Sequence, residues 1–392
     1  MRLSILLSFS IALLLGCAQQ IPKQQLVKPT LPAPDHSFVQ HAPIPTTEDF
    51  YRLTRQQQQH FLNYFHNPLH HHFKPNERIY RYLIDDLENF SYQGANTLAQ
   101  QTLENLSGNC ISLAMMVTAL AKLVQVDVSY RATYTDPVLD ISAQTMLSSG
   151  HVRSYLYNPI DQDHDNPQPL HFRTALGIDY FRGSLDRVGQ QLAPGAFEAM
   201  IYNNLAVDFF LAGQFGQSYW LSRAALQQDP TYKESINLIA IIYRRQGNLI
   251  AATQWFELGL RYHPTNTSLI SNYLLLAKQL ANQPLIESLT QRLQVSEDDN
   301  PYIWFSLALQ AEKAQHYQEA IGFYQKLLQA APYLHKANLA LATLYLQQQN
   351  LTAAKAALSE ALQYSYEPAN QARYQAKLQM LEQLAATPAG PE

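Results

Sequence analysis

The chain has 392 residues, 15% of them charged and 47% hydrophobic, an ordinary globular composition with room for two domains and appendages. A formal net charge of −4 supplies no basic field for nucleic acid and excludes that class of partner. There are two cysteines, Cys17 and Cys110, and the first has a separate role below, so no disulfide within the chain is expected.

Met1 and Arg2 precede an apolar run over residues 3–15. That is too short for the ~20 residues of a membrane span but suits a signal-peptide core. The run closes on Leu14-Leu15-Gly16-Cys17, which resembles the lipobox of bacterial lipoproteins. The resemblance implies a signal peptide over 1–16, lipidation of Cys17 and stable anchoring by several acyl chains. Ala18 follows in place of the aspartate associated with inner-membrane retention, so the same resemblance implies the periplasmic face of the outer membrane. Residues 17–48 hold Pro22, Pro29, Pro32, Pro34, Pro43 and Pro45 and are expected as an extended tether unable to order itself.

A first domain is expected over residues 49–190. Phe50, Leu53, Phe61, Tyr64 and Phe65 recur at helical spacing, and a further helix is predicted over 76–90. His60, His66 and the triplet His70-His71-His72 carry no Cys or carboxylate at helical spacing to the triplet, and adjacent histidines cannot converge on one ion. They are read as a solvated loop, with no metal and no cofactor expected.

Cys110 stands where Ser107-Gly108-Asn109 gives way to the apolar run 111–126, predicted as the buried central helix, with Asn109 or Ser107 as its cap. A sulfur over a first helical turn meets N–H groups and the positive end of the dipole, which favours thiolate. The period then switches to two. Strands are predicted over 126–134 and 151–157, the latter with His151, Arg153, Tyr155 and Tyr157 on one face. A third is predicted over 174–181, where Asp179 interrupts an apolar run at a desolvation cost.

Cysteine at a helix start, histidine opening a strand and aspartate in the next strand resemble the transglutaminase-like cysteine hydrolase superfamily, over residues 75–185. The pieces that carry the resemblance are Gly108-Asn109-Cys110-Ile111-Ser112, Gly150-His151-Val152 and Gly177-Ile178-Asp179-Tyr180. It implies an α+β, papain-like fold with Cys110 as nucleophile, His151 as general base and later acid, and Asp179 orienting the imidazole. Backbone N–H groups at the helix start could bind an oxyanion.

Arg153 stands where some relatives carry an aromatic residue, and the segment between His151 and Asp179 is longer than in compact members. His164 or His171 remains an alternative to His151, and Asp140 to Asp179. Asp161, Asp163 and Asp165 have a calcium-loop spacing, but Asn166 replaces the loop glycine and Phe172 the bidentate glutamate, so no calcium site is expected.

In the C-terminal half, Pro264 lies 34 residues after Pro230, and Pro332 lies 68 after Pro264. A period of ~34 is that of tetratricopeptide repeats. An all-α solenoid of about five units is expected over 199–368, starting near Ala199, Lys233, Thr267, Pro301 and His335. A capping helix and tail follow over 369–392. Small residues such as Ala206, Ala240, Ala308 and Ala342 fall at close-packing positions, and the aromatics Tyr202, Tyr243, Trp304 and Tyr345 between helix pairs. The unit 267–300 is degenerate. Asn203, Asn237, Arg244 and Arg245 are expected to face the groove.

Two readings follow. One is an envelope lipoprotein whose Cys-His-Asp site acts on an amide bond of a protein or peptide, by hydrolysis rather than crosslinking, with the repeats binding substrate or partner. The other is a catalytically silent scaffold whose repeats organise an envelope complex.

Overall fold

The computed structural model describes residues 29–87, 90–92, 96–134, 151–158, 175–178, 187–296, 302–365 and 368–386. The N-terminal part carries helices α1 (Thr47–Phe50), α2 (Arg55–Phe65), α3 (Pro75–Leu87), α4 (Ala99–Asn105) and α5 (Cys110–Leu123). Thr46 and Thr54 start the first two through capping boxes with Asp49 and Gln57, which satisfy N–H groups that the helix cannot.

Strands β1 (Ser91–Tyr92) and β2 (Ser107–Gly108) form a short parallel pair. The strands β3 (Asp127–Tyr134), β4 (His151–Tyr157), β5 (Ala175–Ile178) and β6 (Arg187–Gln191) make an antiparallel sheet in the order β5-β4-β3-β6. This α+β unit is organised by α5, buried along its length from Cys110 to Ala121. The helix lies against β4, whose Val152, Ser154 and Leu156 form the covered face. Strand periodicity explains the alternation: Arg153, Tyr155 and Tyr157 turn the other way and are half-buried.

From Ala196 every secondary-structure element among the described residues is a helix. Five pairs follow one another: α6 (Ala196–Leu211) with α7 (Phe215–Gln228), α8 (Lys233–Arg245) with α9 (Leu249–Tyr262), α10 (Thr267–Gln279) with α11 (Gln283–Val295), α12 (Tyr302–Lys313) with α13 (Tyr317–Ala330), and α14 (His335–Gln347) with α15 (Leu351–Gln363). The final helix, α16 (Pro368–Ala386), packs on α15.

The period is written into the backbone. The turn inside each pair holds one residue in the left-handed region, at Gly213, Gly247, Ala281, Gln315 and Gln349, each 34 residues after the last, with φ between 51° and 79°. The expected helical-repeat solenoid is therefore present, degenerate third unit included. Each pair buries its apolar face on its neighbours, as stacked repeats must.

One expectation needs correction. Residues 29–46, read as part of a free tether, lie along the first repeats, with a turn at Asp35–Phe38, and are bonded to them. Proline content and low hydrophobicity show that such a segment cannot fold alone; they do not reveal a surface elsewhere in the chain that holds it.

Candidate functional sites

The Cys110 turn is fixed by its neighbours. Asn109 caps α5, its Oδ1 accepting from the Ser112 N–H at 3.0 Å and the Ser112 hydroxyl at 3.2 Å. Gly108 has φ of 155°, and a Cβ there would meet Ser112 Cβ at 2.6 Å and Thr97 Oγ1 at 2.9 Å, so no larger residue fits. The Thr97 N–H donates to Ser112 Oγ at 2.8 Å and its hydroxyl to the Ser107 carbonyl at 3.2 Å. Cys110 is thus the first residue of a capped helix and is 2% exposed.

His151 opens β4, paired with Thr133, and β4 is the strand on which α5 lies. Strand β5 pairs with β4 and ends at Ile178, opposite Ser154, one residue before Asp179. Cys110 therefore begins a helix, and His151 begins the strand that this helix covers. Asp179 itself, the alternatives Asp140, His164 and His171, the acidic loop 161–166 and Cys17 lie outside the described residues.

The histidines of the first helices serve the local fold. His60 Nδ1 pairs with the Tyr82 hydroxyl at 2.9 Å, His70 Nδ1 with the Tyr64 carbonyl at 2.8 Å, and His71 Nε2 with the His66 carbonyl at 3.1 Å.

In the repeats, Asn203 and Asn237 are 1% and 5% exposed. Asn203 Oδ1 accepts from the Ser235 hydroxyl at 3.0 Å and Asn237 Oδ1 from the Asn272 amide at 3.1 Å. Their amides join α6, α8 and α10 to one another, because a buried polar group needs a partner. They are spent on packing rather than open to a ligand. Arg245 is exposed, whereas Arg244 is half-buried, and burial with the nearby Arg245 charge lowers its pKa.

A face of the first repeats that the sequence did not reveal holds the segment 29–46. The segment, which turns at Asp35–Phe38, is held largely through its main chain. Arg223 donates to the Pro32 carbonyl at 2.6 Å and Trp220 Nε1 to the Phe38 carbonyl at 2.8 Å. Gln217 accepts from the N–H groups of His41 and Ala42 and donates back to the Ala42 carbonyl, each at 3.0 Å. The Asp35 N–H donates to the Tyr219 hydroxyl at 2.9 Å, and the Tyr243 hydroxyl donates to Asp35 Oδ2 at 3.1 Å.

Phe38 is the side-chain anchor, stacked on Tyr219 at 4.2 Å and edge-on to Tyr243 at 5.3 Å. A cavity of about 360 Å³ lies beside it, bounded by Asp35, His41, Gly216 and Tyr243 among others. The available signal was Tyr219-Trp220, two consecutive large aromatics on a repeat helix, of which inter-helix packing needs only one.

No family model matches the chain, and none of the curated proteins matches it. Solved structures of helical-repeat proteins do. YrrB, described as a TPR protein with an unusual peptide-binding site, is 16% identical, with 45% of this chain and 92% of that one covered and a TM-score of 0.27. PilW, a type IV pilus biogenesis factor, is 16% identical over 48% and 99% of the two chains, with a TM-score of 0.30. Pseudomonas aeruginosa PilF is 16% identical over 48% and 93%, with a TM-score of 0.31. The repeat type of this chain rests on its own 34-residue register and paired helices.

Proposed function

We propose that this protein is a docking protein whose repeats hold an extended polypeptide of a protein partner, with the N-terminal domain built onto the first repeat helix. The observation that carries the reading is the segment 29–46, a non-helical stretch with a turn at Asp35–Phe38, held on α7 and α8 mainly by side chains that bond its main chain. When a surface accepts a linear peptide, bonds to the main chain supply affinity and a seated side chain supplies specificity. The test uses a labelled peptide of residues 30–45 added to the full chain carrying Phe38→Ala, which weakens the resident segment. Saturable binding that Gln217→Ala or Trp220→Ala reduces at least tenfold is expected. Absence of saturable binding, or binding indifferent to both substitutions, overturns the reading.

A second reading is favoured by one arrangement: Cys110 begins the helix that lies on β4, and β4 pairs with β5. This supports a transglutaminase-like thiol site, with Cys110 as nucleophile, His151 as base and Asp179 as orienting carboxylate, acting on an amide bond of a protein or peptide. Attack by the thiolate, proton return to the leaving amine and hydrolysis of the acyl-enzyme by water would be its steps. Iodoacetamide labelling tests it. The site requires a reactive thiol well below the ordinary thiol pKa of ~8.5, slowed by His151→Ala; ordinary titration refutes it.

The N-terminal sequence supports lipidation at Cys17 and an outer-membrane, periplasm-facing location. Loss of detergent-phase partitioning in Cys17→Ala is the expected result, and unchanged partitioning would contradict it.

A further inference from the structure

Helix α6 pairs with α7 as a repeat helix, and its other side is a wall of the N-terminal domain. Phe197 stacks on Tyr130 at 3.8 Å, and the Tyr130 hydroxyl pairs with the Thr118 hydroxyl of α5 at 2.5 Å. Near the end of α5, the Lys122 ammonium sits 3.8 Å over the Tyr51 ring, and the Tyr51 hydroxyl donates to Glu198 Oε1 at 2.9 Å. At the other end of α5, Asn109 Nδ2 donates to Asn96 Oδ1 at 2.8 Å, and Asn96 Nδ2 donates to Asp208 Oδ2 at 2.7 Å. Glu198 is near the start of α6 and Asp208 near its end, so the repeat helix grips both ends of the helix that begins with Cys110.

The grip at Asp208 has a direction. An ionised carboxylate only accepts, so Asn96 must turn its NH₂ toward Asp208 and its oxygen toward Asn109. Asn109 must then present its own NH₂ to Asn96, which leaves its oxygen for the Ser112 N–H and thereby caps α5. Each amide has two orientations; the Ser112 N–H, which only donates, and the carboxylate, which only accepts, require the same one from opposite ends of the row, and Asp208 holds Asn96 in it.

We propose that Asp208, acting through Asn96, is a positioning residue for the Cys110 turn, so that the first helix of the solenoid sets the cap of the thiol-bearing helix. This deepens the second reading by making the repeats part of that site, but the hydrogen-bonded row does not require the thiol to be catalytic.

Asp208→Ala, Asp208→Asn and Asn96→Ala in the full chain test it by residue-resolved hydrogen exchange and by the pH profile of Cys110 alkylation. Loss of a cap bond is expected to speed exchange at Ser112 about five-fold in Asp208→Ala and Asn96→Ala. The double substitution should add nothing, because the residues act in series. Asp208→Asn keeps an acceptor and should stay near wild type, and amides of α8 and α9 report that the fold is intact. The alkylation profile should move in the two alanine variants and not in Asp208→Asn. Unchanged exchange and alkylation in Asp208→Ala, or an Asp208→Asn that behaves like it, overturns the proposal. An ordinary thiol titration in the wild type would defeat the second reading alone, since the exchange result stands without it.

Discussion

Truncating Phe38 to alanine should free the segment 29–46 without unfolding the repeats beneath it. The ring is half-buried, so its removal forfeits part of the 3–5 kcal/mol typical of a fully buried Phe→Ala, together with its stacking on Tyr219. A loss of about 2 kcal/mol is the expected size, or about a 30-fold rise in the opening constant. The Trp220 bond is to the main-chain carbonyl of Phe38 and is not itself deleted, which keeps the figure below the full-burial value. Hydrogen exchange reads the change at the Asp35, His41 and Ala42 amides, whose N–H groups donate to Tyr219 and Gln217. They should exchange about 30-fold faster while amides of α8 and α9 keep their rates. Unchanged protection at those three positions would show that the ring is not the anchor and would refute the reasoning.

Three further outcomes follow from the same structure. Gly216→Ala places a Cβ about 2.1 Å from the Val39 carbonyl oxygen, so it should expel the segment while leaving the melting of the repeats within a few degrees of wild type, measured by exchange and calorimetry. Gln349→Gly removes a side chain from a left-handed backbone position, φ 58°, and should stabilise the chain by roughly 0.5–1 kcal/mol in urea unfolding, with Gly247→Gln costing a similar amount. Hydrogen bonds from the side chain and backbone N–H of Ser37, joined by Tyr243, hold the Asp35 carboxyl below its usual 3.8. A lowered folded-state pKa contributes stability above the unfolded value that is lost as pH falls through the folded one. Docking should therefore weaken as the solution is acidified below 3.8, seen in tryptophan fluorescence, and Asp35→Asn should remove that acid step.

The solenoid was legible because a repeat states its constraints several times. Prolines after the second helices and alanines at close-packing positions recur in register, so one degenerate unit does not hide the period. The left-handed turns were legible only at Gly213 and Gly247; Ala281, Gln315 and Gln349 pay backbone strain that no residue type announces. Strand β6 escaped notice because Arg187–Gln191 is short and largely polar, and its pairing with β3 is a long-range matter.

At the Cys110 turn, the Asn109 cap could be read from local chemistry, whereas the row through Asn96 to Asp208 joins positions 112 residues apart. The docked segment was misjudged for the same reason. Its order is supplied by Gln217, Tyr219, Trp220, Arg223 and Tyr243, which lie far along the chain.

The Arg223–Pro32 bond shortens the leash. Were Cys17 embedded in a bilayer, a chain free as far as residue 48 would let the folded body roam to about 100 Å, whereas the bond at Pro32 would hold it to at most about 50 Å. The mooring point is then the flank of the opening repeat, which would stand nearer the lipid headgroups than a body tethered from residue 48. Cutting the chain upstream of Pro32 would then release the repeats and whatever they hold together.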